Sequence, residues 1–371
     1  MSKPFPNSKL NGPRPAKINE RGPILKTVEY IFRTSRGRPP TMAKDYPHVY
    51  HPNNLKNVLI VKTGQQVVSS AAIWTNHIQL GKASLHVGGI NAVGTLPDYR
   101  KHGLGTQVMQ AAQKMMRNLD CHIVLLNTGI VDWYRRIGWE KAGIQYTFRF
   151  DRSNICLLPV LENKFQEAND RELEQILSVH HSDKIGGLRT PDLFRQLLKT
   201  KKISNIPVVK TETGIIAYLL VACNTIVEWG GPAKSVAGLI RAWFKKKDSL
   251  EASTSTRGIN NKPVSLTEIK LIVPEVDHPF VTLLKKLKIP HFFGPARMLL
   301  VLNPKRILEA FGHTDINVSQ KSGFFTLSRG NETDIFSQQQ LAKLFFGPER
   351  ISPFGADLFP LPFCQWTLDC V

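Results

Sequence analysis

The chain has 371 residues, of which 42% are hydrophobic, and a net charge of +20. This length and composition support two or three globular domains with sizeable cores. No apolar run approaches the ~18 residues of a membrane span, so no membrane-spanning helix is expected. The basic excess would attract polyanions such as nucleic acid, a polyphosphate cofactor or an acidic protein. Zinc-finger spacing, basic heptads and RNA-binding aromatic signatures are all missing, and the cations are spread along the chain, so no specific nucleic acid is expected. Cys121, Cys156, Cys223, Cys364 and Cys370 are odd in number and lack C-x-x-C spacing. They read as free thiols in a reducing cytosol, which gives a cytoplasmic expectation.

Residues 1–21 are basic and proline-rich, without the apolar centre of a secretory signal, and read as a flexible leader. A helical stripe at Leu25, Val28, Ile31 and Phe32 predicts an amphipathic first helix. Residues 34–54 read as a long loop of the kind that walls a substrate site. Its His48 and His51 are flanked by Pro47 and Pro52, so they read as packing or pocket-wall residues. Three strands are expected at Leu55–Thr63, Val67–Leu80 and Ala83–Thr95, the first two antiparallel across Gly64. Gly88, Gly89 and Gly94 within the third suggest a bulge or a close approach by a ligand.

Residues 93–105, VGTLPDYRKHGLG, are the chemically loaded stretch. A strand runs into the Pro97 turn. Arg100 and Lys101 follow, then Gly103 and Gly105, and a helical pattern begins at once. Leu104, Val108, Ala111, Ala112, Met115 and Met116 give that helix one apolar face. The first N–H groups of a helix lack intrahelical partners, and the dipole adds positive charge there. Glycines let the backbone approach a phosphate, and successive N–H groups can form a nest. The stretch therefore reads as a diphosphate cradle. It has neither P-loop spacing nor G-x-G-x-x-G spacing. A buried strand is expected at Cys121–Asn127, a short helix at Ile130–Ile137, and a last strand near Gln145–Phe150. A meander joined to a βαβ half splays two strands beside the loop and opens a cleft.

RKHGLG, Arg100–Gly105, resembles the R/Q-x-x-G-x-G/A pyrophosphate loop of the GNAT superfamily of acyl-CoA-dependent N-acyltransferases. WYRRIGWEKAG, from Trp133, resembles that family's Y-x-x-x-G-F region, with Trp139 in place of the aromatic. The resemblance covers residues 22–150. It implies acetyl-CoA as acyl donor, with no metal, and an amine on a small molecule or a protein as acceptor. It further implies that Val93 and Thr95 lend backbone groups to the pantetheine arm. Arg100, Lys101, Gly103, Leu104 and Gly105 would hold the pyrophosphate, and Tyr134 would protonate the leaving sulfur. Direct transfer suits this chemistry, since placing both substrates together lowers the barrier by up to ~7–11 kcal/mol. A non-catalytic acyl-CoA-binding scaffold on the same fold is the alternative.

After Asp151 the pattern restarts. Helical faces at residues 173–180 and 193–198 precede strands at Pro207–Thr211, Ile215–Ala222 and Thr225–Trp229. A helix at Val236–Phe244 comes next, with an exposed loop expected at residues 246–263. Strand, helix and strand follow at Leu266–Val273, Phe280–Leu287 and Met298–Leu302. This is nearly the earlier order without a second cradle, hence a degenerate copy. Glu228–Gly231 reads as a strand end with a glycine turn. Residues 304–371 show helix, two strands, helix and an apolar tail. The expected organisation is a leader (1–21), a catalytic domain (22–150), a degenerate copy (151–303) and a small module (304–371). The fold class is mixed α/β (α+β). The layout resembles the "enhanced intracellular survival" (Eis) type of acetyltransferase, with tandem GNAT folds and a sterol-carrier-like module. That resemblance implies a general-base role for the carboxylate of Val371, acceptors among polyamine-like molecules, and a homo-hexamer. The net charge of +20 opposes polycationic acceptors at long range.

Overall fold

A computed structural model describes residues 9–254 and 268–369. In chain order, the first half comprises β1 (Leu10–Pro15), α1 (Arg21–Phe32), α2 (Met42–Asp45), β2 (Val58–Thr63), β3 (Gln66–Leu80), β4 (Ala83–Thr95), α3 (Leu104–Asn118), β5 (Ile123–Leu126), α4 (Val131–Arg135) and β6 (Glu140–Phe150). The second half comprises β7 (Phe165–Glu167), α5 (Leu173–Ser182), β8 (Ile185–Gly187), α6 (Pro191–Thr200), β9 (Pro207–Thr211), β10 (Gly214–Ala222), β11 (Thr225–Gly230), α7 (Ala233–Thr254), β12 (Ile269–Pro274), α8 (Pro279–Lys286) and β13 (His291–Val301). Then come α9 (Pro304–Ala310), β14 (Asn317–Lys321), β15 (Phe324–Arg329), β16 (Glu332–Ser337) and α10 (Gln338–Phe346).

Strand β2 shows why the sheet forms. Val58 and Ile60 pack with Ile24 and Val28 of α1, while Leu59 and Val61 pack with Val108 and Ala112 of α3. A strand buried on both faces is apolar on both, and the buried run Val58–Val61 is. Helix α3 buries Leu104, Val108, Ala112 and Met116, an i, i+4 row on one face.

Both halves share one sheet, in the order β1-β2-β3-β4-β5-β13-β6-β12-β11-β10-β9-β7, with β8 on β3. The halves exchange their last strands. β13 lies between β5 and β6, and β6 lies between β13 and β12. Phe148, for example, stands opposite both Leu271 and His291. β14, β15 and β16 form a separate antiparallel sheet. Helix α10 packs against both sheets and fastens this small α+β unit to the large one. The sterol-carrier-like character of the unit remains an expectation from layout. Among the described residues no helix is long and apolar enough to cross a membrane.

Four expectations need correction. The leader is structured from Leu10, because β1 pairs with β2 as an edge strand, and an edge tolerates Pro13 and Pro15. The expected exposed loop at 246–263 is helical up to Thr254, where α7 ends; residues 255–267 fall outside the described set. β13 begins seven residues earlier than expected, at His291, with Phe292 and Phe293 exposed. The C-terminal unit has a third, polar strand, β14.

Glu20 locks the edge strand. Its buried carboxylate accepts from both Nη atoms of Arg14 at 2.9 and 2.7 Å, from Lys62 at 3.1 Å and from the Lys17 N–H at 2.8 Å. The Arg14 guanidinium foremost holds its carboxyl down at about 2, against an ordinary 4.5. A depressed carboxyl stabilises the fold above its unfolded value, and the contribution fades as pH falls from 4.5 towards 2. Glu20→Gln is expected to cost about 2–3 kcal/mol at pH 7 and almost nothing at pH 2. Chemical denaturation across this pH range checks it. An equal loss at both ends would contradict the ion cluster.

Candidate active site

Parallel pairing of β4 with β5 runs from Val87↔Ile123 to Gly89↔Leu125 and stops there. Beyond it β4 continues to Thr95, while the chain after β5 turns towards α4. On its other edge β4 keeps β3, but the register shifts between Ser70↔Gly94 and Ala72↔Asn91. Two residues of β4, Ala92 and Val93, thus oppose Ala71 alone, a β-bulge. Ala92 takes φ +51° there. The bulge falls on Ala92 rather than on the strand glycines. Gly88 and Gly94 instead make room for neighbours: an added Cβ would lie 2.9 Å from Met116 Sδ at the first and 3.0 Å from Ile31 at the second.

The divergence opens a cleft of about 440 Å³. Val93–Thr95 of β4, Tyr99–Lys101 of the loop, Gly103–Thr106 at the start of α3, and Ile130, Trp133 and Tyr134 line it. The structure therefore brings all seven expected donor-binding positions and Tyr134 to one cavity. Gly103 is the N-cap of α3 at φ +74°, with no side chain capping the helix. The N–H groups of Leu104, Gly105 and Thr106 have no intrahelical partner by helix geometry. Lys101 also takes a left-handed φ, +65°, which curls the loop over this end. Arg100 Nε donates to the Thr95 carbonyl at 3.0 Å and ties the loop back to the strand. Thr95 Oγ1 lies 2.9 Å from Ser69 Oγ. These features make a cationic pocket rich in N–H donors, of a kind suited to an anionic group.

Tyr134 sits at the opposite wall. Its ring meets Trp133 edge-on at 4.7 Å and Trp139 at 6.0 Å. Burial pushes its phenol up to about 12, so the hydroxyl carries its proton at neutral pH. Trp133 was not singled out in the sequence, although it adjoins Tyr134 in the same motif. Helix α4 is steadied by Arg135, which holds Glu140 at 2.8 Å, and by Gln339 of α10, which donates to the Arg135 carbonyl at 2.9 Å.

Behind the bulge, Tyr50 donates to Asn91 Oδ1 at 3.3 Å. His48 is buried edge-on against Trp74 at 5.0 Å. Burial pushes its imidazole down to about 4, so the ring is neutral at pH 7. His51 is exposed, and its Nδ1 accepts from the Asn53 N–H. Among the described residues no three His, Cys, Asp or Glu side chains gather as metal ligands. Val371 lies outside the described residues.

The second half repeats the strand–helix geometry with a different filling. Gly231, just before α7, donates its N–H to Asp183 Oδ2 at 2.7 Å. A carboxylate thus holds the turn that leads into α7. Glu228, read from sequence as part of a strand end, is fully buried in an ion cluster with Arg189, Tyr218 and Asp369. Neither Arg189 nor Asp369 carried a sequence signal.

Residues 13–142 match the family described as "Acetyltransferase (GNAT) domain". No curated protein matches the sequence. Among solved structures, the chain is similar to a probable N-acyltransferase of Enterococcus faecalis (TM-score 0.61, 14% identity, 90% of this chain and 86% of that one). It is also similar to a GCN5-related N-acetyltransferase of Kribbella flavida (0.60, 15%, 90% and 84%) and to Eis1 of Mycobacterium abscessus (0.57, 12%, 90% and 86%). At these identities the structures show the fold alone, which all three share over most of the chain.

Proposed function

We propose that the GNAT acetyltransferase domain carried by this chain transfers an acetyl group from acetyl-CoA directly to an amine. The single observation that supports this most is the joint lining of one cleft by the Gly103–Gly105 helix end, the β4 bulge and Tyr134. The family match agrees with it. The diphosphate would rest on the α3 N-terminus beside Arg100 and Lys101, and the pantetheine arm would run along β4 beyond Gly89, where the ladder to β5 has ended.

In the reaction, the neutral amine attacks the thioester carbonyl and a C–N bond forms. A backbone N–H at the bulge would stabilise the oxyanion. As the C–S bond breaks, the Tyr134 hydroxyl gives its proton to the sulfur. The proton lost by the amine passes to solvent or a base, and the phenolate recovers one. No covalent enzyme intermediate is required, because proximity supplies much of the rate.

The test is a thiol-release assay with acetyl-CoA and a panel of primary amines, with the product's mass measured. Amine-dependent CoA release, a product heavier by one acetyl group and intersecting initial-velocity lines are expected. Release at the buffer rate with every amine would contradict the proposal.

A further inference from the structure

Strand directions gather several elements at one edge of the molecule. β4 and β5 are parallel, β13 is antiparallel to β5, and β6 is antiparallel to β13, so β6 finishes at the end of the sheet where the cleft opens. β12 and β13, both antiparallel to β6, begin there. Helix α8 leads into β13 and therefore ends at this edge. Helix α7 reaches it too, since its Asp248 pairs with Arg152, just after β6, at 2.8 Å.

The edge carries apolar tips on a braced backbone. Leu157 and Val160, in the loop after β6, are 49% and 71% exposed, and Phe292, at the head of β13, is 52% exposed. Leu158, between the first two, is buried and anchors the loop. Arg241 of α7 donates from Nη1 to the Cys156 and Leu158 carbonyls at 3.1 and 2.5 Å. The loop runs so close to α7 that a Cβ on Gly238 would stand 3.0 Å from Leu161 Cα. Asn154 Nδ2 donates to the Arg149 carbonyl at 3.2 Å, and the Arg149 guanidinium lies over the Phe292 ring, 5.1 Å from its centroid. The loop thus joins the Phe292 corner to α7. Cations surround these tips. RAWFKKKD (241–248) on α7 and KKLKIPHFF (285–293), from α8 into β13, hold Lys or Arg at seven positions and one acid, Asp248. Arg152 neutralises that acid. Glu268, just before β12, faces Arg149 and Lys270 at 3.7 Å each. Lys245 and Lys286 are exposed.

We propose that this edge docks on an anionic lipid bilayer, with Leu157, Val160 and Phe292 entering the headgroup layer and Lys245, Lys286 and their neighbours meeting the lipid charge. Singly projecting apolar side chains suit an interface that yields around them, and a bilayer does so without a fitted shape. The lysines complement the negative potential of an anionic leaflet, which reaches only about a Debye length from its surface, so they act when the tips bring them close. The docking does not depend on the acetyltransferase reading. It would set the end of the sheet that bears the cleft against the membrane.

The test is sedimentation of the full chain with phosphatidylcholine vesicles, with and without one-third phosphatidylserine, at physiological salt. A net charge of +20 would by itself draw the chain to anionic vesicles, so three double variants separate the edge from the total charge. Leu157→Ser with Val160→Ser removes two tips and no charge. Lys245→Glu with Lys286→Glu reverses two edge cations. Lys56→Glu with Lys82→Glu makes the same charge change at the opposite end of the sheet, where β2 begins and β3 turns into β4. All six side chains are exposed, so the fold should hold in each variant. The wild type is expected to bind the phosphatidylserine vesicles and not phosphatidylcholine alone. The lipid concentration for half-binding should rise about tenfold or more for the edge lysine pair and about fivefold for the serine pair, and stay within about twofold for the opposite-end pair. No binding to phosphatidylserine vesicles, equal weakening by the two lysine pairs, or undiminished binding by the serine pair would overturn the docking. A wild-type dimer in the analytical ultracentrifuge that the serine pair dissociates, with no vesicle binding, would overturn it too and assign the edge to a second copy of the chain.

Discussion

Gly103→Asp is expected to weaken acetyl-CoA binding about 100-fold while leaving the fold intact. Gly103 adopts φ +74° at the head of α3, a conformation that aspartate tolerates better than most residues. A Cβ there would meet only Gln107 Nε2, at 3.8 Å, so nothing need move. The added carboxylate would stand where the diphosphate is proposed to rest. At an effective dielectric near 20, a like charge about 4–5 Å away costs about 3–4 kcal/mol. Screening at an open cleft brings this to about 2–3 kcal/mol, which is about 100-fold in Kd. Isothermal titration of the wild type and the variant reads the ratio directly. Equal affinities, at equal melting temperature, would remove this helix end from donor binding.

Tyr134→Phe is expected to lower kcat by about 100-fold with the acetyl-CoA Kd within about twofold, the pattern of a proton donor that acts only as the C–S bond breaks. The ring's packing on Trp133 and Trp139 needs no hydroxyl, so stability should hold. The pH dependence carries a sign. Burial raises the phenol to about 12, so the acid form persists as pH rises and is lost only near that value. Activity should climb as the amine deprotonates, with no falling limb from Tyr134 below about pH 11. A variant with wild-type kcat would rule out the acid role. A wild-type falling limb centred at about pH 9 that the variant lacks would show that the phenol titrates far lower than its burial implies.

What could be read in advance follows the range of the interactions. β4 and α10 begin and end where the pattern places them, since alternation, capping and glycine turns are local signals. The cleft was legible for the same reason: strand, cationic loop and helix start lie within thirteen residues, 93–105. The exchanged strands were not. Nothing in Glu140–Phe150 records that its neighbours are β12 and β13 rather than β5, because the ladder is made by backbone groups that every strand carries. Arg189 was silent for a related reason, since its partners Glu228 and Asp369 lie 39 and 180 positions away. A lone arginine in sequence looks like surface. β14 escaped because NVSQK is largely exposed and lacks apolar alternation.

The most direct measurement is a crystal structure of the protein with CoA. The diphosphate should lie within hydrogen-bond distance of the N–H groups at Gly103–Thr106, with the pantetheine arm along Val93–Thr95 and the sulfur beside the Tyr134 hydroxyl. CoA bound at another surface, or a cleft left empty at saturating CoA, would contradict the assignment of this site to acyl transfer.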